Sequence, residues 1–118
     1  MVKLEHNNKV VLNSMIWAKG SFRIARGLMF SGKEKINRGI CLVMPTKKDV
    51  RFGASVTMWF CFYDLEILFI NSKFEVVDKK ILKPWVSNYT PKKPCMYVVE
   101  SCVGKFSEIK IGDFIKFN

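Results

Sequence analysis

The sequence predicts a mainly β protein: a single domain spanning residues 1–118, built as a β-sandwich or barrel of about seven short strands with one or two short helices. Three observations carry this. At 118 residues the chain is one domain long and can bury about 65% of its unfolded surface, enough for a core without covalent staples. Apolar residues make up 49% and aromatics 14%, spread along the chain with many β-branched residues, the composition that suits pleated surfaces. The apolar runs are short and are punctuated by Gly, Pro and Asn-Ser signals.

Lys9 to Ala18 alternates and reads as a first strand, closed by Lys19-Gly20. Ser21 can cap a short helix through Arg23, Ile24, Ala25, Arg26 and Leu28. That helix is expected to run one or two turns, because Gly32 and the charged Lys33-Glu34-Lys35 follow. Gly39 to Met44 is a compact apolar strand ended by Pro45. In Ser55 to Phe62 period two sends Val56, Met58, Phe60 and Phe62 inward, and Ser55, Thr57, Trp59 and Cys61 to a mixed face. Leu65 to Asn71 is apolar on both faces except at Glu66, the pattern of a strand covered on both sides. A two-residue turn at Ser72-Lys73 would return Glu75 to Ile81 as its partner, placing Phe69 opposite Val76 and Glu66 opposite Lys79. Prolines at 84, 91 and 94 exclude a helix from the connection that follows. Met96 to Glu100 is a further strand, Gly104 to Glu108 a helical turn, and Ile111-Gly112-Asp113 a turn into a last strand, Phe114 to Phe117.

The formal net charge is +10, carried by 16 Lys and 4 Arg. Readers of base edges lean on Arg forks, whereas scattered Lys more often solvates a surface. Clusters at Lys47-Lys48-Arg51, Lys79-Lys80-Lys83 and Lys92-Lys93 leave nucleic acid as a lesser partner class. The four cysteines form no CxxC pair and the one histidine, His6, stands in a polar N-terminal segment, so a closed zinc site is not expected. Free buried thiols and a reducing cytoplasm fit this pattern. The N-terminal segment lacks a signal-peptide core, and Asp64 and Glu66 interrupt the most apolar stretch, which argues against a membrane span. No nucleophile elbow, phosphate loop, dinucleotide fingerprint or HExxH is present, so no enzyme class and no cofactor is assigned.

Several motifs together resemble a known family. They are Ala25 to Phe30; Gly39 to Met44; Met58-Trp59-Phe60 with Leu65 to Phe69; Lys83-Pro84-Trp85 with Tyr89-Thr90-Pro91; Tyr97 to Glu100; Gly104; and Gly112-Asp113. In this order and spacing, from about Phe22 to Phe117, the chain resembles the uncharacterised family called domain of unknown function 192, also uncharacterised protein family 0127. The KPW and YTP pieces look like its archaeal branch. The resemblance implies a mainly β, sandwich or jelly-roll-like domain and carries no activity. The family often places His or Trp where Thr57 stands, and Asp where Glu66 stands.

Glu66 is the sharpest candidate, because a buried acid must be satisfied by a protein partner such as Lys79 or an arginine, or else serve a ligand. Glu100 closes a neighbouring strand and could join Glu66 in metal or acid/base chemistry, or simply cap a turn. Arg23 and Arg26 can pair with either acid or hold an anion. Thr57 and Trp59 share the mixed face, where an indole can stack on a sugar or a base. The leading expectation is a binding module for a small polar or carbohydrate-like ligand at a pocket around Glu66, Arg26, Arg23, Thr57, Trp59 and Glu100. The alternatives are a nucleic-acid-binding β module using the lysine loops and a carboxylate-dependent enzyme using Glu66 and Glu100.

Overall fold

A computed structural model describes residues 2–19, 32–58, 61–86 and 88–118. The helix expected from Ser21, with Arg23, Arg26 and Gly27, lies outside the described residues, as do Trp59 and Phe60.

The strands are β1 (Val2–His6), β2 (Lys9–Ala18), β3 (Ile40–Val43), β4 (Leu65–Ile70), β5 (Val76–Leu82), β6 (Tyr97–Cys102) and β7 (Lys116–Phe117). They form a single curled sheet, a half-barrel, in the order β5-β4-β6-β3-β2-β1-β7. This is the barrel-like side of the expectation, since a sandwich needs a second sheet. Every pairing is antiparallel except β2 with β3. That parallel step needs a crossover, and it contains a helix, α1 (Lys33–Arg38). Lysine and glutamate at 33–35 are good helix formers, so they open a helix where the sequence reading had ended one.

α1 stops at Gly39, which has φ +80° and donates its N–H to the Lys35 carbonyl at 3.1 Å. A Cβ there would lie 2.8 Å from Leu12 Cδ1 and 3.1 Å from the Glu100 carbonyl oxygen. Only glycine permits both the left-handed backbone and that approach.

β1 was not foreseen. The segment Val2 to His6 is short and carries three polar residues, but Leu4 and His6 alternate inward on its buried face. Asn7 and Asn8, at φ +50° and +63°, turn it into β2 with the two positive-φ residues of a type I′ hairpin.

The sheet is covered on both sides. One face carries Ile40, Leu42, Ile67, Phe69 and Val98, and the other carries Cys41, Leu68, Ile70, Val99, Phe106 and Ile109. All six residues of β4 are buried, as the unbroken apolar run predicts. Edge strand β5 is shielded at its start by Gly112 to Ile115. Gly112 N–H donates to the Val76 carbonyl at 2.8 Å, and Val76 N–H to the Asp113 carbonyl at 2.8 Å.

Two local expectations fail. Residues 55–58 and 61–62 are not part of a strand: Phe52–Ala54 is a 3-10 turn, and Val56 makes one isolated bridge to Tyr89. Cys61 is buried and Phe62 is 55% exposed, the reverse of the alternation. The β4–β5 loop holds three residues, not two. Asn71 Oδ1 accepts the N–H groups of Lys73 and Glu75, both at 3.0 Å, and Phe74 takes φ +66°. A β-bulge between Phe69 and Ile70 adds a second one-residue step, so the register places Asp78 opposite Phe69 and Ile81 opposite Glu66. A left-handed conformation costs an L residue about 1–2 kcal/mol, and the Asn71 side chain offsets part of this by acting as the turn acceptor.

Candidate functional site

Glu66 lies on the face of Leu68 and Ile70, where alternation puts it, and it is buried. Its Oε1 accepts the N–H groups of Gly104 at 2.9 Å and Phe106 at 3.2 Å. Its Oε2 pairs with Lys79 Nζ at 3.4 Å. The same ammonium donates to the carbonyls of Phe106 at 2.5 Å and Ile109 at 2.9 Å. One buried ion pair thus ties the 104–109 loop to the sheet, and the loop seals the core with Phe106 and Ile109. A buried pair is tolerable only when hydrogen bonds satisfy the remaining sites, and this one meets that condition.

The sheet separates the two acids of the sequence reading. Glu100 is opposite Ile67, and Glu66 is opposite Ser101. Consecutive side chains alternate, so Glu100 projects to the face of Ile40 and Ile67 while Glu66 projects to the other. Glu100 is buried, and its charge, second to burial itself, pushes the Cys61 thiol up to about 11. Thr57 is exposed. Arg23, Arg26 and Trp59 lie outside the described residues.

Two polar pairs went unremarked in the sequence. Asp78 is 1% exposed. It accepts from Tyr89 Oη at 2.6 Å, Lys92 N–H at 3.0 Å and Lys79 N–H at 2.8 Å. Burial, then the hydrogen bond and charge of Asp78, push the Tyr89 phenol up to about 12. The signal was an acid within the buried pattern of β5. His6 Nε2 bonds Asp113 Oδ2 at 2.9 Å. The Lys110 N–H and then His6 hold the Asp113 carboxyl below its ordinary range. No signal in the sequence joins residues 107 positions apart.

The side chains around the sheet end where β3 and β4 finish and β6 begins form a different kind of site. A groove of about 700 Å³ is lined by Lys19, Val43, Met44, Pro45, Thr46, Lys47, Ser72, Met96 and Tyr97. Tyr97 is held by a ring cluster: it stacks on Phe74 at 5.7 Å and 17°, and meets Phe117 at 5.1 Å and Trp17 at 5.9 Å. Burial, with the Asp49 charge adding to it, raises the Tyr97 phenol above its usual range. Lys19 and Lys47 are exposed and have no ion-pair partner among the described residues. A second groove, about 350 Å³, lies between the β1–β2 turn and the 104–109 loop, beside His6, Lys9, Lys105 and Glu108. Glu66 lines neither. No group of three or more metal-ligating side chains occurs among the described residues, and no described helix is long and apolar enough to cross a membrane.

Comparison with known proteins adds a family and a fold. The family model described as Uncharacterized ACR, COG1430 matches residues 2–117. UPF0127 protein TK1120 of Thermococcus kodakarensis is 35% identical over 94 residues, covering 78% of this chain and 57% of that protein. UPF0127 protein PF1050 of Pyrococcus furiosus is also 35% identical over 94 residues, covering 78% and 76%. The chain therefore spans little more than half the length of the first relative and about three quarters of the second. A solved protein of unknown function from Novosphingobium aromaticivorans superimposes with a TM-score of 0.78 at 21% identity, over 98% of this chain and 82% of its own. That likeness is one of fold.

Proposed function

The chain belongs to the uncharacterised family called domain of unknown function 192 (uncharacterised protein family 0127), and on that premise we propose that it is a binding module for a small polar, anionic ligand held in the sheet-end groove. The observation that carries this reading is the pairing of two ammonium groups, Lys19 and Lys47, with an apolar wall of Val43, Met44, Pro45 and Met96. Ligand sites typically combine such a wall with a few polar groups in about 300–1,000 Å³. The lysines would neutralise a carboxylate or phosphate, and Tyr97 would add a hydroxyl donor. In this reading Glu66 supports the fold and does not touch the ligand.

Thermal-shift screening against small carboxylates, phosphates and neutral sugars tests it. An anion should raise the unfolding midpoint, and the Lys19→Gln, Lys47→Gln double variant should weaken that anion about tenfold or more. A hit whose affinity ignores both lysines, or neutral sugars outperforming every anion, would remove the proposal.

A further inference from the structure

Trp85 occupies a position that chemistry reserves for glycine. Lys83, Pro84, Trp85 and Val86 form a turn closed by the Val86 N–H to Lys83 carbonyl bond at 3.4 Å. Proline at the second position and φ +67° at the third match a type II turn, whose third residue is normally Gly or Asn. A bulky aromatic residue with φ above zero is an outlier that costs conformational free energy. The indole does not recover this cost by full burial: Trp85 remains 51% exposed. Its ring meets Phe62, itself 55% exposed, edge-on at 5.9 Å. Next in sequence, Tyr63 is 37% exposed and carries Lys33 Nζ 5.8 Å from its ring centre. Lys83 opens the turn, and exposed Lys80 and Ile81 precede it on β5. Glu34 and Asp64 are the acids of these segments. The result is an exposed ring pair, Phe62 and Trp85, with Tyr63 next to Phe62 in the chain and lysines in the same segments.

We propose that this surface is a stacking platform for single-stranded nucleic acid. Exposed rings accept base faces without regard to sequence, and lysines follow the phosphates. The net charge of +10 supplies the long-range attraction for a polyanion. A duplex keeps its bases stacked inside and offers only its phosphates, so the rings select the single strand. The strained turn is then explained: it presents the indole outward, at the expense of a backbone that glycine would satisfy better. The platform stands apart from the sheet-end groove and does not depend on it.

Fluorescence anisotropy with labelled oligothymidylate and oligouridylate, against a duplex of equal length, tests the proposal. The single strands should bind more tightly than the duplex, and affinity should fall steeply between about 50 and 200 mM salt. Trp85→Gly should weaken single-strand binding about tenfold in a protein that still unfolds cooperatively. Phe62→Ser, which leaves the turn intact, should weaken it as well. Absence of binding at low salt overturns the proposal, as does equal affinity for duplex or unchanged affinity in both variants. If both variants fail to fold, the rings hold the structure together and the proposal is likewise overturned.

Discussion

Lys79 sits directly opposite Leu68, yet its ammonium reaches back along the strand pair to Glu66, 3.4 Å away. The contact is diagonal. It forms because both side chains project to the same face and because the 104–109 loop lies over them, offering two N–H groups to the acid and two carbonyls to the amine. The pair acts as a clasp for that loop.

Removing the charge of Glu66 should therefore loosen the clasp. Glu66→Gln leaves Lys79 facing two carbonyls without a counter-ion. Breaking a buried pair from one side costs about 3–5 kcal/mol, and because Lys79 keeps 22% of its side chain in water the low end, about 3 kcal/mol, is expected. Chemical denaturation measures the loss. Amide exchange at Gly104 and Phe106 should accelerate more than exchange in β3.

Gly39→Ala should destabilise by more than about 1 kcal/mol. The new methyl group meets the Leu12 side chain and the Glu100 backbone, and φ +80° disfavours any Cβ. The backbone carbonyl cannot move aside without disturbing β6. A urea midpoint equal to that of the parent protein would contradict this account.

The Asp78–Tyr89 pair sets an alkaline limit. The phenol ordinarily titrates near 10, and in the fold it is pushed up to about 12. Because the folded value is the higher one, its stabilisation is complete below about pH 10 and is lost as pH rises towards 12. Stability should fall over that window, and less so in Tyr89→Phe. At neutral pH the same variant should cost about 1–3 kcal/mol, since buried Asp78 loses its hydroxyl donor.

Asp113 sets an acid limit of the opposite sign. Its folded value lies below the ordinary carboxylate range, so its contribution is present above that range and is lost as pH falls through the lowered value. Asp113→Asn should flatten the acid limb of the stability profile. Asp64→Asn, at an exposed acid in the connection before β4, is the control that should leave it unchanged.

These residues show where legibility in the sequence ended. The face of Glu66 and the double coverage of β4 followed from period and apolarity alone. The partner register did not, because the Asn71 side chain closes a three-residue turn and a bulge between Phe69 and Ile70 adds a second step, displacing the partner by two positions. Phe62 and Cys61 depart from the alternation because neither belongs to a strand. His6 stands in a polar segment of the sequence, and it is buried because β1 pairs with β2 and β7.

The sequence by itself determined the mainly β class, the strand segments β2 to β6 and the family, since these rest on local period, composition and motif order. Tertiary structure alone decided that Glu66 and Glu100 lie on opposite faces of one sheet, that Lys79 answers Glu66 diagonally, and that a lysine-flanked groove opens beside Tyr97. Each of these depends on which strands become neighbours. That choice is made by the packing of the whole chain and is not written in any single segment of it.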